Sequence, residues 1–183
     1  MLTLHSVPDA FSAAECDRLC ALAEAAPSAE ARLVGAQRDH NIRRADLVWL
    51  DDLPDTGWVM DRLIDVVRVA NRDVFDFALT DFSESPQIAS YGAEKAGHFD
   101  WHADIGDGRL AARRKLTLVV QLSEPGDYEG GVLEVMPTSA VLTARRERGT
   151  AALFPAFALH RVTPVTQGRR RSLTVWAHGP AFR

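Results

Sequence analysis

From Pro86 onward the apolar residues recur at every second position, in short runs separated by turn residues. Residues 87–91, 114–122, 132–136, 141–144, 150–154 and 172–176 read as strands. Glu124-Pro125-Gly126-Asp127 and Tyr128-Glu129-Gly130-Gly131 are turn clusters between them. Ahead of Pro86 the period is helical. Trp58, Leu63, Val67, Ala70 and Val74 form an apolar stripe along a helix expected over about 56–75. An earlier helix starts after Ser12, with Glu15 completing a capping box and Phe11 placed to staple against Cys16. It runs to about Ala26, where Pro27 and Ser28 stop it. Residues 2–7 and 45–50 read as strands and 51–55 as a loop. Helices followed by many short strands define an α+β chain: a sandwich or barrel with helices packed on one outer face. The double-stranded β-helix, or jelly roll, is a member of that class.

The 183 residues are expected to form one domain, 1–183, with 1–85 as a helical support region and 86–183 as the jelly-roll core. A net charge of -4 and short, local basic clusters argue against a nucleic-acid footprint. No apolar run reaches the length of a membrane span, and Met1-Leu2-Thr3-Leu4-His5 lacks a signal-peptide layout. Cys16 and Cys20, four apart on a helix, read as small core residues in a reducing compartment, so the cytoplasm is the expected location.

Strand parity separates an inside from an outside. Leu173, Val175 and Ala177 share one face of the last strand; Arg170, Ser172, Thr174, Trp176 and His178 share the other. Leu116, Leu118, Val120 and Leu122 form an apolar face, opposed by Lys115, Thr117, Val119 and Gln121. The apolar faces suit packing under the helices. The mixed faces suit either solvent or a polar pocket, and Trp176 favours the pocket, because solvent faces rarely carry a Trp.

Chemistry concentrates in Trp101-His102-Ala103-Asp104. On a strand, His102 and Asp104 project to the same side. A second His, His160, follows in Phe154-Pro155-Ala156-Phe157-Ala158-Leu159-His160-Arg161-Val162, and then Arg169-Arg170-Arg171-Ser172. Two His and one carboxylate form the facial triad that holds non-haem Fe(II) with positions left open. Each residue alone has a bland reading: a hydrogen-bonded His, a polar turn at 104–108, a surface Arg. Order and spacing together favour the triad. His98 reads as a decoy for the metal ligands, with pocket lining or a supporting contact behind the ligands as alternatives, His5 and His40 as surface, and His178 as pocket rim.

These pieces resemble the Fe(II)- and 2-oxoglutarate-dependent dioxygenases, most closely the prolyl 4-hydroxylase-like branch with the bacterial PKHD-type hydroxylases. Tyr91, Trp101 to Asp104, Gln121 to Gly131, Gly149 to Pro155, His160 to Thr166 and Arg170 to Trp176 carry the resemblance. It implies that His102, Asp104 and His160 bind the metal and that Arg170 pairs with the distal carboxylate of 2-oxoglutarate. A guanidinium suits that role through paired charge-assisted hydrogen bonds. Parity selects Arg170 over Arg169 and Arg171. Ser172 would add a hydroxyl, Tyr91 a further cosubstrate contact and Leu133 an apolar wall. Gln121 stands where relatives often carry Tyr, which leaves its contact with 2-oxoglutarate open.

The resemblance further implies Fe(II), 2-oxoglutarate and O2 as requirements, with ascorbate as a stimulant. Cosubstrate would be converted to succinate and carbon dioxide as an amino acid, a prolyl-type peptidyl residue or a small metabolite is hydroxylated. The expected partners are a small molecule or peptide, neither nucleic acid nor membrane, and the chain is a monomer or homodimer. Arg43, Arg44 and the loop 105–114 are candidates for the substrate rim. The alternative is a catalytically silent, cupin-like binding module. It fits less well, because the first cupin motif wants His-x-His with a later Glu where this chain has Asp104.

Overall fold

A computed structural model describes residues 2–27, 29–30 and 42–182. His40 lies outside them. In chain order the regular elements begin with β1 (His5–Val7), α1 (Ala13–Ala25), β2 (Ala29–Glu30), β3 (Arg43–Arg44), β4 (Asp46–Trp49) and α2 (Gly57–Ala70). The strands β5 (Gln87–Gly92), β6 (His98–His102), β7 (Arg114–Gln121), β8 (Tyr128–Gly130) and β9 (Leu133–Met136) follow. The last are β10 (Leu142–Thr143), β11 (Ala151–Pro155), β12 (Leu159–Val162) and β13 (Val165–His178).

The capping box forms at α1: the Ser12 N–H donates to Glu15 Oε2 at 2.8 Å, and the Glu15 N–H donates to Ser12 Oγ at 3.3 Å. Phe11 and Cys16 are both buried in the same core. The buried stripe of α2 is Val59, Leu63, Val67 and Ala70, and it continues to Phe75. Trp58 and Val74, expected in that stripe, are only half-buried. A π turn over Asn71–Phe75 accounts for Val74. Its wider i→i+5 spacing adds a residue to the turn and carries the inward position one residue further, to Phe75.

Among the described residues the strands form two mostly antiparallel sheets. The large one has the order β1-β11-β7-β13-β5-β4-β2, with β8 paired to β13; the small one has the order β10-β9-β12-β6-β3. The strand expected through His102 and Asp104 is present as β6 but stops at His102; β12 was not among those expected, β8 was read as a turn, and β13 begins seven residues before 172 and ends two after 176. The region before Pro86 is more than helical support, since β1, β2 and β4 lie in the large sheet and β3 in the small one.

Alternate residues of the large sheet enter two different cores. Leu116, Leu118, Val120, Leu122, Leu153, Leu173, Val175 and Ala177 pack with α1 and α2. Val119, Ala152, Phe154, Ala89 and Leu47 pack with Leu133, Val135 and Val162 of the small sheet. The helices therefore cover one face of the large sheet and the small sheet covers the other, which is the jelly-roll arrangement with outer helices.

Gly149 joins the first of these cores to the start of β11. Its φ is +77°, and a Cβ there would lie 2.0 Å from the Phe11 carbonyl oxygen. The close approach lets the Phe11 N–H donate to the Gly149 carbonyl at 3.1 Å.

Two substitutions test this packing by urea denaturation. Leu118→Ala should cost about 2–5 kcal/mol, because Leu118 is fully buried under the helices. Gly149→Ala should cost more than about 1 kcal/mol through its left-handed backbone and the Phe11 clash.

Candidate metal centre

Strands β6 and β12 are antiparallel neighbours in the small sheet, and their register sets His160 directly opposite His102. Opposed residues share a face, so both imidazoles point toward the large sheet. Asp104 arrives differently from the expected strand alternation. Strand β6 ends at His102, and the chain leaves the sheet before Asp104. The Asp104 and Ile105 N–H groups both donate to the Ala156 carbonyl, at 2.9 and 3.1 Å. Arg114 holds the Asp104 carbonyl at 3.0 Å, and Thr117 Oγ1 donates to Asp104 Oδ2 at 2.6 Å. The carboxylate is thus aimed by hydrogen bonds from the large sheet rather than by pleat.

The potential ligand atoms of His102, Asp104 and His160 all lie within 4.8 Å of one another. His102 Nε2 is 3.7 Å from Asp104 Oδ1, and His160 Nε2 is 3.4 Å from Asp104 Oδ2. The other ring nitrogens face carbonyls: His102 Nδ1 donates to Asp100 O at 2.7 Å and His160 Nδ1 to Ala158 O at 3.0 Å. This places the proton on Nδ1 and leaves the Nε2 lone pairs converging beside the carboxylate, as metal ligation requires. Phe99 stacks on His102 with centroids 3.4 Å apart, and Phe154 lies 4.7 Å from His160, so the rings are also held by packing.

Burial, reinforced by the His160 ring, pushes the His102 imidazole well below its usual value. Burial alone would push the Asp104 carboxyl up. The two imidazoles and Thr117 outweigh it, and the net direction is down. A neutral imidazole and an ionised carboxylate are the ligand forms of these groups. The Trp176 indole N–H is buried beside this carboxyl without a hydrogen bond of normal geometry.

The cavity in front of these residues has a volume of about 450 Å3 and is lined by Tyr91, Leu133, Arg170, Ser172 and Trp176 as well as the three ligands. Arg170 is only 2 % exposed. Its Nε donates to Gln121 Oε1 at 3.1 Å and its Nη1 to Ser172 Oγ at 3.5 Å, and Tyr91 lies beside it across the β13–β5 pairing. No acidic side chain among the described residues pairs with it. Burial pulls its pKa down, against the opposing influence of Tyr91 and Tyr128. A desolvated guanidinium facing a cavity without a counter-ion is a site for an incoming carboxylate. Arg169 and Arg171 are differently placed: Arg169 pairs with Glu94, and Arg171 lies 3.8 Å from Glu24.

Gln121 does not line the main cavity. It stands behind Arg170, where its Nε2 donates to Tyr128 Oη at 2.8 Å while its oxygen holds the guanidinium. His178 corrects another expectation. It is fully buried rather than at the rim, with Nε2 2.9 Å from Glu84 Oε2. Glu84 also binds Arg114, whose guanidinium lies 3.9 Å over the Trp176 ring. His98 is half-buried, with Nδ1 2.9 Å from Ala96 O, and does not line the cavity. His5 packs edge-on against Phe75. Thr117, Glu84 and Gln87 were not singled out from sequence, and Arg114 was named only as the end of the loop 105–114. Thr117 alone left a signal, as a small polar residue on the mixed face of β7.

A sequence model of the 2OG-Fe(II) oxygenase superfamily matches residues 86–178. A PKHD-type hydroxylase of Phenylobacterium zucineum is 32% identical over 181 residues, covering 96% of this chain and 77% of that protein. PKHD-type hydroxylase PiuC of Pseudomonas aeruginosa is 27% identical with the same coverage, 96% and 77%. Among solved structures, a Pseudomonas putida prolyl-4-hydroxylase superposes with a TM-score of 0.73 at 22% identity, over 97% of this chain and 93% of that one. A Trichoplax adhaerens prolyl hydroxylase, in complex with a hypoxia inducible factor peptide fragment, superposes at 0.78 with 16% identity, over 96% and 83%. The chain belongs to the 2OG-Fe(II) oxygenase superfamily, in its PKHD-type branch. It is an oxygenase whose family requires Fe(II), 2-oxoglutarate and O2.

Two measurements probe the centre. Arg170→Ala should weaken 2-oxoglutarate binding by roughly thirty-fold to several thousand-fold, from the roughly 2–5 kcal/mol lost when a buried charge pair is broken. Arg169→Ala and Arg171→Ala should change it little; a reversal of that ranking in cosubstrate titrations would exchange the two faces of β13. Thr117→Val should leave the fold intact but weaken metal binding about 10–100-fold in anaerobic Fe(II) titrations, because the carboxylate ligand loses its orienting donor.

Proposed function

We propose that His102, Asp104 and His160 hold Fe(II), that Arg170 and Ser172 receive the distal carboxylate of 2-oxoglutarate, and that Tyr91 and Leu133 flank the cosubstrate. On this reading the oxygenase hydroxylates an amino acid, a peptidyl residue or a small metabolite and releases succinate and carbon dioxide. The buried guanidinium of Arg170, unpaired beside a convergent His-Asp-His cluster, carries the proposal. The site fits the metal through its three ligand atoms and its fixed imidazole tautomers. It fits the cosubstrate through a cation that nothing among the described residues neutralises.

When bound, the iron and cosubstrate supply the oxidising power for a C–H bond. The chain's own residues supply geometry and protection. The Asp100 and Ala158 carbonyls hold the two imidazoles in the ligating tautomer, and Thr117 fixes the carboxylate. Gln121, anchored on Tyr128, sets the direction of the Arg170 fork. Leu133, Val119 and Val162 exclude water from the inner wall.

The prolyl hydroxylase neighbours make a peptidyl residue a natural substrate class, and the PKHD-type relatives support hydroxylation as the outcome. Among the described residues, no helix is long and apolar enough to cross a membrane.

The test is anaerobic addition of Fe(II) and 2-oxoglutarate. A weak visible charge-transfer band should appear, followed in air by succinate release with a panel of amino acids and peptides. His102→Ala, Asp104→Ala or His160→Ala should each abolish the release. A folded protein that binds iron but shows neither the band nor affinity for 2-oxoglutarate would favour the silent binding module.

A further inference from the structure

The cavity contains a second cation that the reaction described above does not use. Arg43, on the short strand β3 beside β6, lines the cavity mouth with Trp49 and Gln87. Its guanidinium lies 4.4 Å over the Phe99 ring, and Phe99 stacks on the ligand His102. One aromatic ring therefore separates Arg43 from the metal site. Arg43 Nη2 donates to Gln87 Oε1 at 3.3 Å, whereas its Nε is buried without a hydrogen-bond partner. No carboxylate among the described residues pairs with it. Gln87 is 3 % exposed and lines the cavity, its oxygen is committed to Arg43, and no acceptor among the described residues takes its amide N–H groups. A buried amide and a fixed guanidinium thus present donors, and no acceptor, at the entrance to the metal site.

The charge balance of the cavity points the same way. Fe(II), ionised Asp104 and the 2-oxoglutarate dianion leave one negative charge, which Arg170 neutralises. Glu84 and Arg114 neutralise each other. His178 is neutral by its hydrogen bonds, since its Nδ1 accepts from the Ser83 N–H at 3.3 Å while Nε2 donates to Glu84. Arg43 is then the cation of the cavity with no charge opposite it. A buried donor set of that kind penalises a neutral ligand and favours an anionic one.

We propose that Arg43 and Gln87 form a carboxylate-binding subsite for the primary substrate. The substrate class is then a molecule with a free carboxylate near the oxidised carbon, such as a free amino acid or the C-terminal residue of a peptide, rather than an internal residue of a chain. This rests on the reading of the cavity as an oxygenase active site and narrows its substrate.

The experiment is an anaerobic titration of protein loaded with Fe(II) and 2-oxoglutarate, following perturbation of the visible band. The probes are the L-amino acids, their carboxamides, tripeptides with a free C-terminus, and the same tripeptides with both ends blocked. Phosphate monoesters form a separate arm. Free carboxylates should perturb the band and accelerate succinate release, and matched carboxamides should bind about ten- to a hundredfold more weakly. Arg43→Gln should abolish that difference, and Arg43→Lys should retain part of it, because an ammonium keeps the charge but not the fork. The comparison of acids with amides in the unaltered protein stands even if a variant folds poorly. Equal binding of acids and amides, a response confined to end-blocked peptides, or a preference for phosphate esters would overturn the subsite. Failure of the band to form before any probe is added would instead overturn the cosubstrate site, and the subsite with it.

Discussion

Strands β7 and β13 lie side by side in the middle of the large sheet and send alternate side chains into two different environments. Leu116, Leu118 and Val120, with Leu173, Val175 and Ala177, go under the helices. Thr117 and Val119, with Arg170, Ser172, Thr174 and Trp176, go toward the small sheet and line the cavity. The helices bury the apolar side, and the small sheet covers the polar side. Without that second layer water would reach the cavity, and a desolvated Arg170 could not be maintained. Fold stability and cosubstrate recognition therefore share the same two strands, separated only by side-chain parity.

The small sheet has the complementary task. It brings His102 and His160 opposite each other and fixes their rings with carbonyls and aromatic neighbours. Asp104 belongs to neither sheet. It is suspended between them, its backbone bound to Ala156 and Arg114 and its carboxylate to Thr117. The candidate metal centre is thus assembled across the sandwich, with two imidazoles from one wall and a carboxylate steered from the other. Any change in the spacing of the sheets would change the ligand set.

Around this centre the ionic groups differ in how completely they are answered. Glu84 is met by Arg114 and His178, with Trp176 under the Arg114 guanidinium, and that cluster forms a neutral, rigid side of the cavity. Arg170 and Arg43 have no acidic partner among the described residues, one deep and one at the mouth. Two unanswered cations flanking a metal site are consistent with two anionic ligands that meet there.

By itself the sequence determined the elements whose signal is local. The capping box at Ser12 and Glu15, the two-faced parity of β7 and β13, and the inward facing of Arg170 among three arginines follow from neighbours within a turn or two. Spacing and resemblance also singled out His102, Asp104 and His160 as a group. What needed tertiary structure was everything that depends on partners distant in the chain. Strand β12, Leu159–Val162, is four residues with His and Arg between two apolar ones, and pairing in the small sheet defines it more than composition does. Asp104 was expected on a strand because alternation offered the simplest route to His102. The structure brings it in through a turn tied to Ala156, a contact no local pattern encodes. His178 and Arg43 read as rim residues, and nothing in the sequence marked their partners Glu84, 94 residues away from His178, and Gln87, 44 away from Arg43. Burial makes a polar or charged side chain require a partner, and burial is a property of the folded chain.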